Sequence, residues 1–361
     1  MNIVFILTGV TSCVADCWRV LRQRSGVRLK IYLQVNPLHS SRFDKENVLR
    51  ELDYTLVRQN ESFDKDTFRS EMSDFQPTIL FIGGWRRKLP RFFATDRSFA
   101  SIPKILIFDL PFEWTLKKLI APIVLYPYLK RFNGVFIPGK YAMQYARWLG
   151  FKEKEIMQGL LSINISQWVS PIQDKRPQQG FLFIGRYERV KRLDILVEAY
   201  KKYRKKIEQN NKGPCWTLTC CGMGSLEGHL KNVDGIENQG FLQPDEIRVL
   251  HKKHKAFVLT SDQESWGVVL AEACASGLPI ICTEACRGHV ELVKGNGFVC
   301  GTNDSDAIAE AMFQIHNMPE DERTTMGMKG VELVNPYSCE AWAARVVKMT
   351  SDVLNFSHER T

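Results

Sequence analysis

Residues 261–280 read Ser261-Asp-Gln-Glu-Ser-Trp-Gly-Val-Val-Leu-Ala-Glu-Ala-Cys-Ala-Ser-Gly-Leu-Pro-Ile280, a charged, glycine-bearing loop that runs into a helix. The apolar run 256–260 before it has strand character, and 278–281 after it reads as the next strand. Ser265 is the expected cap of the helix, and Gly267 lets backbone come close to a ligand. Val268, Val269, Ala271, Ala273 and Cys274 leave the helix little exposed surface, Gly277 can close it, and Pro279 prevents its continuation. A helix that starts at the carboxyl end of a parallel strand points unpaired amides and a positive dipole end at the adjoining crevice, where phosphate oxygens can sit. Glu264 stands in the loop, and Glu272 lies roughly 7 Å along the axis from Gly267 at ~1.5 Å per residue. A carboxylate at that depth repels phosphate but accepts hydrogen bonds from sugar hydroxyls one step farther along a nucleotide. A plainer reading makes this a buried strand-to-helix turn with Glu272 as a solvated helix acid. That alternative fits Glu272 better than Glu264, which would then need a partner or water.

Outward from this stretch, strand-like runs alternate with helix-like sequence. They fall at 2–7, 28–35, 77–82, 104–108 and 134–139, with a helix expected at 140–149. Two prolines and mixed charge mark 171–179 as a linker, after which 180–185 opens a second series, continued at 216–221, 236–240, 256–260 and 279–282. Strands alternating with helices imply an α/β protein with parallel, doubly wound sheets. The expected divisions are 1–170, the linker 171–179, a second domain 180–335, and 336–361 with a terminal helix from 337 to 354.

The 361 residues suffice for two domains with separate cores. The net charge of +9 is uneven: residues 1–170 hold 25 Lys+Arg against 15 Asp+Glu, a net +10, and the remainder holds 24 against 25, a net −1. Ten cysteines without a Cys-x-x-Cys pair, several inside apolar runs, suit buried free thiols in a reducing compartment. Val10-Thr-Ser-Cys13 imitates a lipoprotein cleavage box, but it lacks a basic leader and a long enough apolar core. The expected location is cytoplasmic, with peripheral attachment to the inner face of the cell membrane as an extension.

Glu264 and Glu272, set in Glu264-Ser-Trp-Gly-Val-Val-Leu-Ala-Glu272-Ala-Cys-Ala-Ser-Gly-Leu-Pro279, resemble the signature of the retaining glycosyltransferases of family 4, the glycosyl transferases group 1. The resemblance implies a GT-B fold, two Rossmann-like doubly wound domains facing an interdomain cleft. A second motif, Gly185-Arg-Tyr-Glu-Arg-Val-Lys191-Arg-Leu-Asp194, resembles the family's donor clamp, with Arg186 and Lys191 on the diphosphate. The physics agrees, because a departing nucleoside diphosphate gathers negative charge that two fixed cations stabilise most at that point. The alternative is that both are surface charges, as expected for Arg189, Arg192, Lys201, Lys202, Arg204, Lys205 and Lys206 on an exposed helical face.

Residue by residue, the resemblance makes Glu264, Arg186 and Lys191 the catalytic set, to which Asp109 is added as an acceptor-side candidate that the family pattern does not supply. It makes Gly9, Gly185, Gly222, Phe241, Leu242, Trp266, Gly267, Val268, Val269 and Glu272 the donor-binding set. Glu264 would face the donor sugar, Gly267, Val268 and Val269 would give amides to diphosphate, and Glu272 would bind ribose. Gly222 lies in the strand end Cys221-Gly-Met-Gly224, and 240–242 matches a loop that borders the nucleobase, although a core position suits Phe241 equally. His289 reads as structural. Only Gly9 stands in the turn after the first strand, where the family usually carries paired glycines. No cofactor is implied beyond the UDP- or GDP-linked sugar substrate, and no metal, since Arg186, Lys191 and helix amides take the neutralising role.

The acceptor side departs from the family pattern. No histidine occurs between His39 and His229, and Asp109 stands at the strand end where many members have one. Asp109 either does acceptor-side polar work or caps the next segment. Residues 85–131 carry ten Lys+Arg against three acids, net +7, interleaved with Trp85, Phe92, Phe93, Phe112, Trp114, Tyr126 and Tyr128. The uncharged run 119–129 is far below the ~20 residues needed to span a bilayer. This composition suits a segment resting on an anionic membrane face, or a buried helix with solvated flanking lysines. No nucleic-acid-binding module is recognisable. The expected function is transfer of a sugar, with retention, from a nucleotide donor to a glycan or lipid-linked acceptor in the synthesis of cell-surface polysaccharide, lipopolysaccharide or glycolipid. The alternatives are a GT-B nucleotide-sugar epimerase that needs no acceptor, and a non-catalytic assembly subunit that keeps the donor fold.

Overall fold

The computed structural model describes residues 1–35, 44–58, 61–169 and 179–358. The expected linker 171–179 lies outside these residues except for Gln179, which already opens a strand. The chain divides into two compact units, one of Met1–Ile163 with Tyr337–Thr361 and one of Asn164–Pro336.

The first unit is built on β1 (Asn2–Leu7), β2 (Arg28–Val35), β3 (Tyr54–Arg58), β4 (Ile79–Gly83), β5 (Lys104–Ile107), β6 (Gly134–Ile137) and β7 (Ile156–Gln158). They form one sheet in the order β3-β2-β1-β4-β5-β6-β7 with every pairing parallel. Alternate residues of each strand feed different cores, as the two-residue period of a strand demands. Val4, Ile6, Leu80, Ile82 and Leu106 join Phe68, Phe93 and Tyr145 on one face. Ile3, Phe5, Ile79, Phe81 and Ile105 join Trp18, Trp342 and Val346 on the other. The terminal helix, Cys339–His358, lies in this second core beside the first helix, Ser12–Arg22. Its Trp342 ring stacks on Phe5 with centroids 5.6 Å apart and gives its indole N–H to the Leu160 carbonyl at 2.9 Å.

The second unit holds β8 (Gln179–Ile184), β9 (Leu218–Cys221), β10 (Ile236–Gly240), β11 (His254–Leu259), β12 (Ile280–Thr283) and β13 (Gly297–Cys300). Their order is β10-β9-β8-β11-β12-β13, again all parallel. In both sheets the chain first winds one way and then returns past its first strand to wind the other way. This Rossmann arrangement leaves a crevice at the carboxyl ends of the two strands where the order reverses. Those strands are β1 and β4 in the first unit, and β8 and β11 in the second.

The structure corrects several sequence expectations. The unit boundary falls after Ile163 rather than at 170, because Trp168 packs edge-on against the buried His251 ring, 5.0 Å away, in the second unit. β3, β7 and β13 are strands that the apolar runs did not mark. All three are sheet edges, where one side of the ladder stays open and the apolar demand is small. Within 85–131, Phe92, Phe93 and Tyr128 are core residues of the first unit and face no outside partner. Among the described residues no helix is long and apolar enough to cross a membrane. All ten cysteines carry free thiols, nine of them buried.

Candidate active site

The two sequence motifs leave the sheet from neighbouring strand ends at the reversal point of the second unit. Gly185 follows β8 and Thr260 follows β11. The first loop is laced to the strands on its other side. Gly185 N–H donates to the Cys221 carbonyl at 3.0 Å, Tyr187 N–H to Met223 at 2.8 Å, and Gly222 N–H to Gly240 at 2.8 Å. Gly222 adopts a φ of 151°, and a Cβ there would meet the Gly185 carbonyl oxygen at 1.9 Å. Its missing side chain is therefore required by the close approach of the Gly185 carbonyl. The buried Tyr187 hydroxyl donates to Asn238 at 2.9 Å and pins the loop from beneath.

A short turn, Arg189–Lys191, then presents Lys191, and Arg192 reverses the chain with a φ of 48°, in the left-handed region. That conformation costs a non-glycine residue free energy, so surrounding contacts must hold it. The Arg192 guanidinium grips Asp194 at 2.8 Å, lies 3.9 Å from Asp262 and touches Asn303. It thereby holds the Asp194 carboxyl below the usual carboxylate range. This corrects the expectation of Arg192 as an ordinary surface charge. The buried Thr260 hydroxyl donates to the Lys191 and Arg192 carbonyls at 3.0 and 3.2 Å, and Asp262 N–H donates to Val190 at 3.0 Å. With the two loops tied in this way, the Lys191 ammonium meets the Glu264 carboxylate in an ion pair, their side chains 12% and 20% exposed.

Glu264 is held from its other side by the segment after β12. Its N–H donates to Ala285 at 3.2 Å, and its carbonyl accepts from Arg287 N–H at 3.2 Å. Gly288 N–H donates to Trp266 at 2.9 Å, and a Cβ on Gly288 would fall 2.2 Å from that same carbonyl oxygen. Trp266 itself is 1% exposed, so its ring supports the loop from within.

The helix begins at Val268 and ends at Ala275, and Gly267, at a φ of 91°, is its cap. Ser265 lies two residues too early to cap it, because the positive φ at Gly267 makes the turn. Val268 and Val269 lie half-buried in the first turn, where amide N–H groups have no acceptor within the helix. Glu272 is 9% exposed, which removes the solvated-acid alternative. Its burial among Leu270, Ala271, Ala273 and Cys274 makes it a carboxylate that folding has withdrawn from water. The His289 ring is hydrogen-bonded to the Cys286 carbonyl at 3.0 Å, a local structural role.

Arg186 is exposed on the loop after Gly185. Phe241 is exposed and Leu242 half-buried just beyond Gly240, so the core alternative for Phe241 does not hold. Gly9 and Asp109 belong to the first unit. Gly9 follows the end of β1 with open space where a side chain would be, and Asp109 is exposed two residues past β5. The next helix, Leu116–Leu119, is capped by Thr115. Sequence reasoning missed Thr260, Asp262 and Arg192. The only local hint was Arg192 followed by Asp194 just ahead of an apolar-periodic helix. Among the described residues no group of three or more His, Cys, Asp or Glu side chains is gathered as metal ligands. The pairs Asp64/Asp66 and Asp304/Asp306 open helices, with Asp64 and Asp304 as the caps.

Two Rossmann-like units with all-parallel sheets of seven and six strands define a GT-B fold. Anabaena HepE, solved in complex with UDP and glucose, superposes with a TM-score of 0.71 at 13% identity, over 98% of this chain and 100% of that one. In sequence, residues 165–331 match the family described as Glycosyl transferases group 1. An uncharacterized glycosyltransferase of Haemophilus influenzae is 28% identical over 153 residues, 40% of this chain and 42% of that protein. The amylovoran biosynthesis glycosyltransferase AmsK of Erwinia amylovora is 28% identical over 149 residues, 37% of this chain and 35% of its own. The chain spans less than half the length of these curated relatives. Fold and family match together support a glycosyltransferase of the group 1 type.

Proposed function

We propose that this protein is a retaining, family 4 glycosyltransferase that moves a sugar from a UDP- or GDP-linked donor to a glycan or lipid-linked acceptor in cell-surface polysaccharide, lipopolysaccharide or glycolipid synthesis. The observation that carries the reading is the Lys191–Glu264 pair at the reversal point of the second sheet, with the Val268–Ala275 helix opening beside it. A half-buried cation and carboxylate in contact neutralise each other until an anionic ligand arrives. A diphosphate then takes Lys191, with Arg186 and the first-turn amides as further donors, and Glu264 is released toward the sugar. Glu272, withdrawn into the helix, accepts ribose hydroxyls. As the sugar–phosphate bond breaks, the charge that develops on the leaving diphosphate falls on groups already fixed in place, without a metal. Asp109, from the first unit, is the candidate for acceptor-side polar work. A biosynthetic role in surface polysaccharide is supported by the kinship with AmsK. A cytoplasmic setting is supported by ten free thiols, which persist where the environment is reducing.

The test starts with a thermal-shift screen of sugar nucleotides, since a ligand at ~100 times its dissociation constant stabilises by about 2.7 kcal/mol. A protein that binds and hydrolyses none of them removes the reading. With the donor in hand, NMR of the product reports the anomeric configuration, and an inverted linkage removes retention. Activity lost in chelator and restored by a divalent ion removes metal independence.

A further inference from the structure

On the first unit, two short helices, Leu116–Leu119 and Ala121–Leu129, form an elbow whose outer side is apolar and bare. Trp114, Leu116 and Ile123 are each nearly four-fifths exposed, and Val124, Tyr126 and Ile120 between about half and two-thirds. These six large side chains come from thirteen consecutive residues, whereas scattered single exposures are what a soluble surface normally shows. The elbow is not frayed chain. Its inner side, Ala121, Tyr128 and Leu129, sits in the core, and the Tyr128 hydroxyl donates to the Gly84 carbonyl at 3.0 Å. The Trp148 indole donates to the Lys118 carbonyl at 2.9 Å, and Phe112 packs against both Trp114 and Trp148.

Charge decides what covers this face. Lys117, Lys130 and Arg131 are exposed at the two ends of the elbow, and Arg86, Arg87, Lys88 and Arg91 are exposed on the adjoining segment that Tyr128 fastens. The only acid within 110–131, Glu113, is held by Lys118 at 2.9 Å. A second copy of this chain docking through a two-fold axis would set this cationic rim against itself. An anionic lipid leaflet meets both demands, since it accepts apolar side chains at headgroup depth, favours Trp and Tyr at its boundary, and draws basic groups to its surface. The uncharged helix has nine residues, so it can lie in the interface but not cross it.

We propose that residues 114–131 seat the protein on an anionic membrane by burying the outer face of this elbow in the headgroup layer. The seat is narrower than the basic segment 85–131, because the first aromatic cluster of that segment belongs to the core. It does not depend on the transferase reading. If both hold, the acceptor is a lipid-anchored molecule reached from the leaflet.

The test is co-sedimentation of the full chain with vesicles of phosphatidylcholine alone or with about one-third phosphatidylglycerol. The expected result is at least roughly tenfold tighter partition to the anionic vesicles, weakening as salt shortens the Debye length. The double variant Ile123→Glu/Val124→Glu should lose about tenfold or more of that partition, with its thermal midpoint unchanged. Lys117→Glu/Lys130→Glu/Arg131→Glu should abolish the preference for anionic lipid. Brominated lipid should quench a fluorescence component that Trp114→Phe removes. Parent protein that stays in the supernatant with both vesicles overturns the proposal, as does equal binding by the Ile123/Val124 variant. Lipid-free dimers that the same variant dissociates, read by light scattering, would also overturn it and assign the face to a second copy. Vesicle binding with no sugar-nucleotide binding sinks the transferase reading alone, and the converse sinks the membrane seat alone.

Discussion

The two sheets reverse their winding in the same way, yet the loops that leave the two reversal points are braced very differently. Past β1 the chain goes through Thr8 and Gly9, both exposed, with nothing within 4 Å of where a Gly9 side chain would be. Past β8 and β11 the loops are tied to each other by Thr260 and Asp262, to β9 by Gly222, and to the segment after β12 by Glu264 and Trp266. They end on a cation and a carboxylate in contact. Topology supplies a crevice in both places. What separates them is the cross-bracing that fixes charged groups before any ligand arrives, and a fixed charge is worth more to a reaction than one that must reorganise.

The comparison can be broken most directly at the ion pair. Lys191→Ala and Glu264→Gln should each lower kcat by about 10²–10³-fold, the scale for removing one preorganised electrostatic contact. Steady-state assays on folded variants check this, and a loss below about threefold would mean the pair serves only the fold.

Next in size is the contrast between glycines. Gly222→Ala places a methyl on the Gly185 carbonyl and forces an L-residue into a forbidden φ, so urea unfolding should show about 2–4 kcal/mol of lost stability. Gly9→Ala, in open space, should stay within about 0.5 kcal/mol of the parent.

Acid should separate the units as well. Burial pushes His251 down to about 3 and His254 down to about 4 in the second unit. Unfolded histidines take protons near pH 6.5, so below that pH the unfolded state binds more protons than the native one and stability falls as pH falls. Each ring contributes a slope of up to about 1.4 kcal/mol per pH unit between its two pKa values. The buried cation of the first unit, Lys104, is pushed down to about 8 by burial and stays charged throughout that range, so it adds no slope. Urea midpoints at pH 7 and pH 5 for the parent and for His251→Leu test this, and an unchanged slope in the variant would refute it.

The smallest expected effect sharpens the comparison. Arg192→Ala removes the clamp on Asp194, Asp262 and Asn303 but leaves the Thr260 bonds to the backbone. Lys191 should then be less well placed, with kcat down about tenfold, roughly 1.4 kcal/mol, and KM for donor nearly unchanged. A proportional rise in KM instead would make Arg192 a binding group.

Most strands were legible because buried parallel strands are continuous apolar runs, and those at 2–7 and 28–35 have the observed limits. Edge strands such as Tyr54–Arg58 bury one residue in five and leave no such run. The site divides along similar lines. Glu264 and Lys191 were marked by the family resemblance of their motifs, while Thr260 and Asp262 act through contacts about seventy residues away in sequence, which no local pattern encodes. Gly222 was legible as a glycine at a strand end, but its close approach to the Gly185 carbonyl was not, because that contact also joins residues far apart in the chain.

The helix that carries Trp342 completes the core around Phe5 and Phe136. During synthesis the ribosome must therefore deliver the whole of Asn164–Pro336 before the earlier-made half can close its second face. The later-made unit has every strand of its sheet by residue 300 and can settle first, while the nascent amino-terminal part waits with Phe5, Trp18 and Phe81 uncovered. A holding chaperone would find its target there, and a nonsense codon shortly before Trp342 should spare the fold of Asn164–Pro336 while leaving the other unit unable to mature.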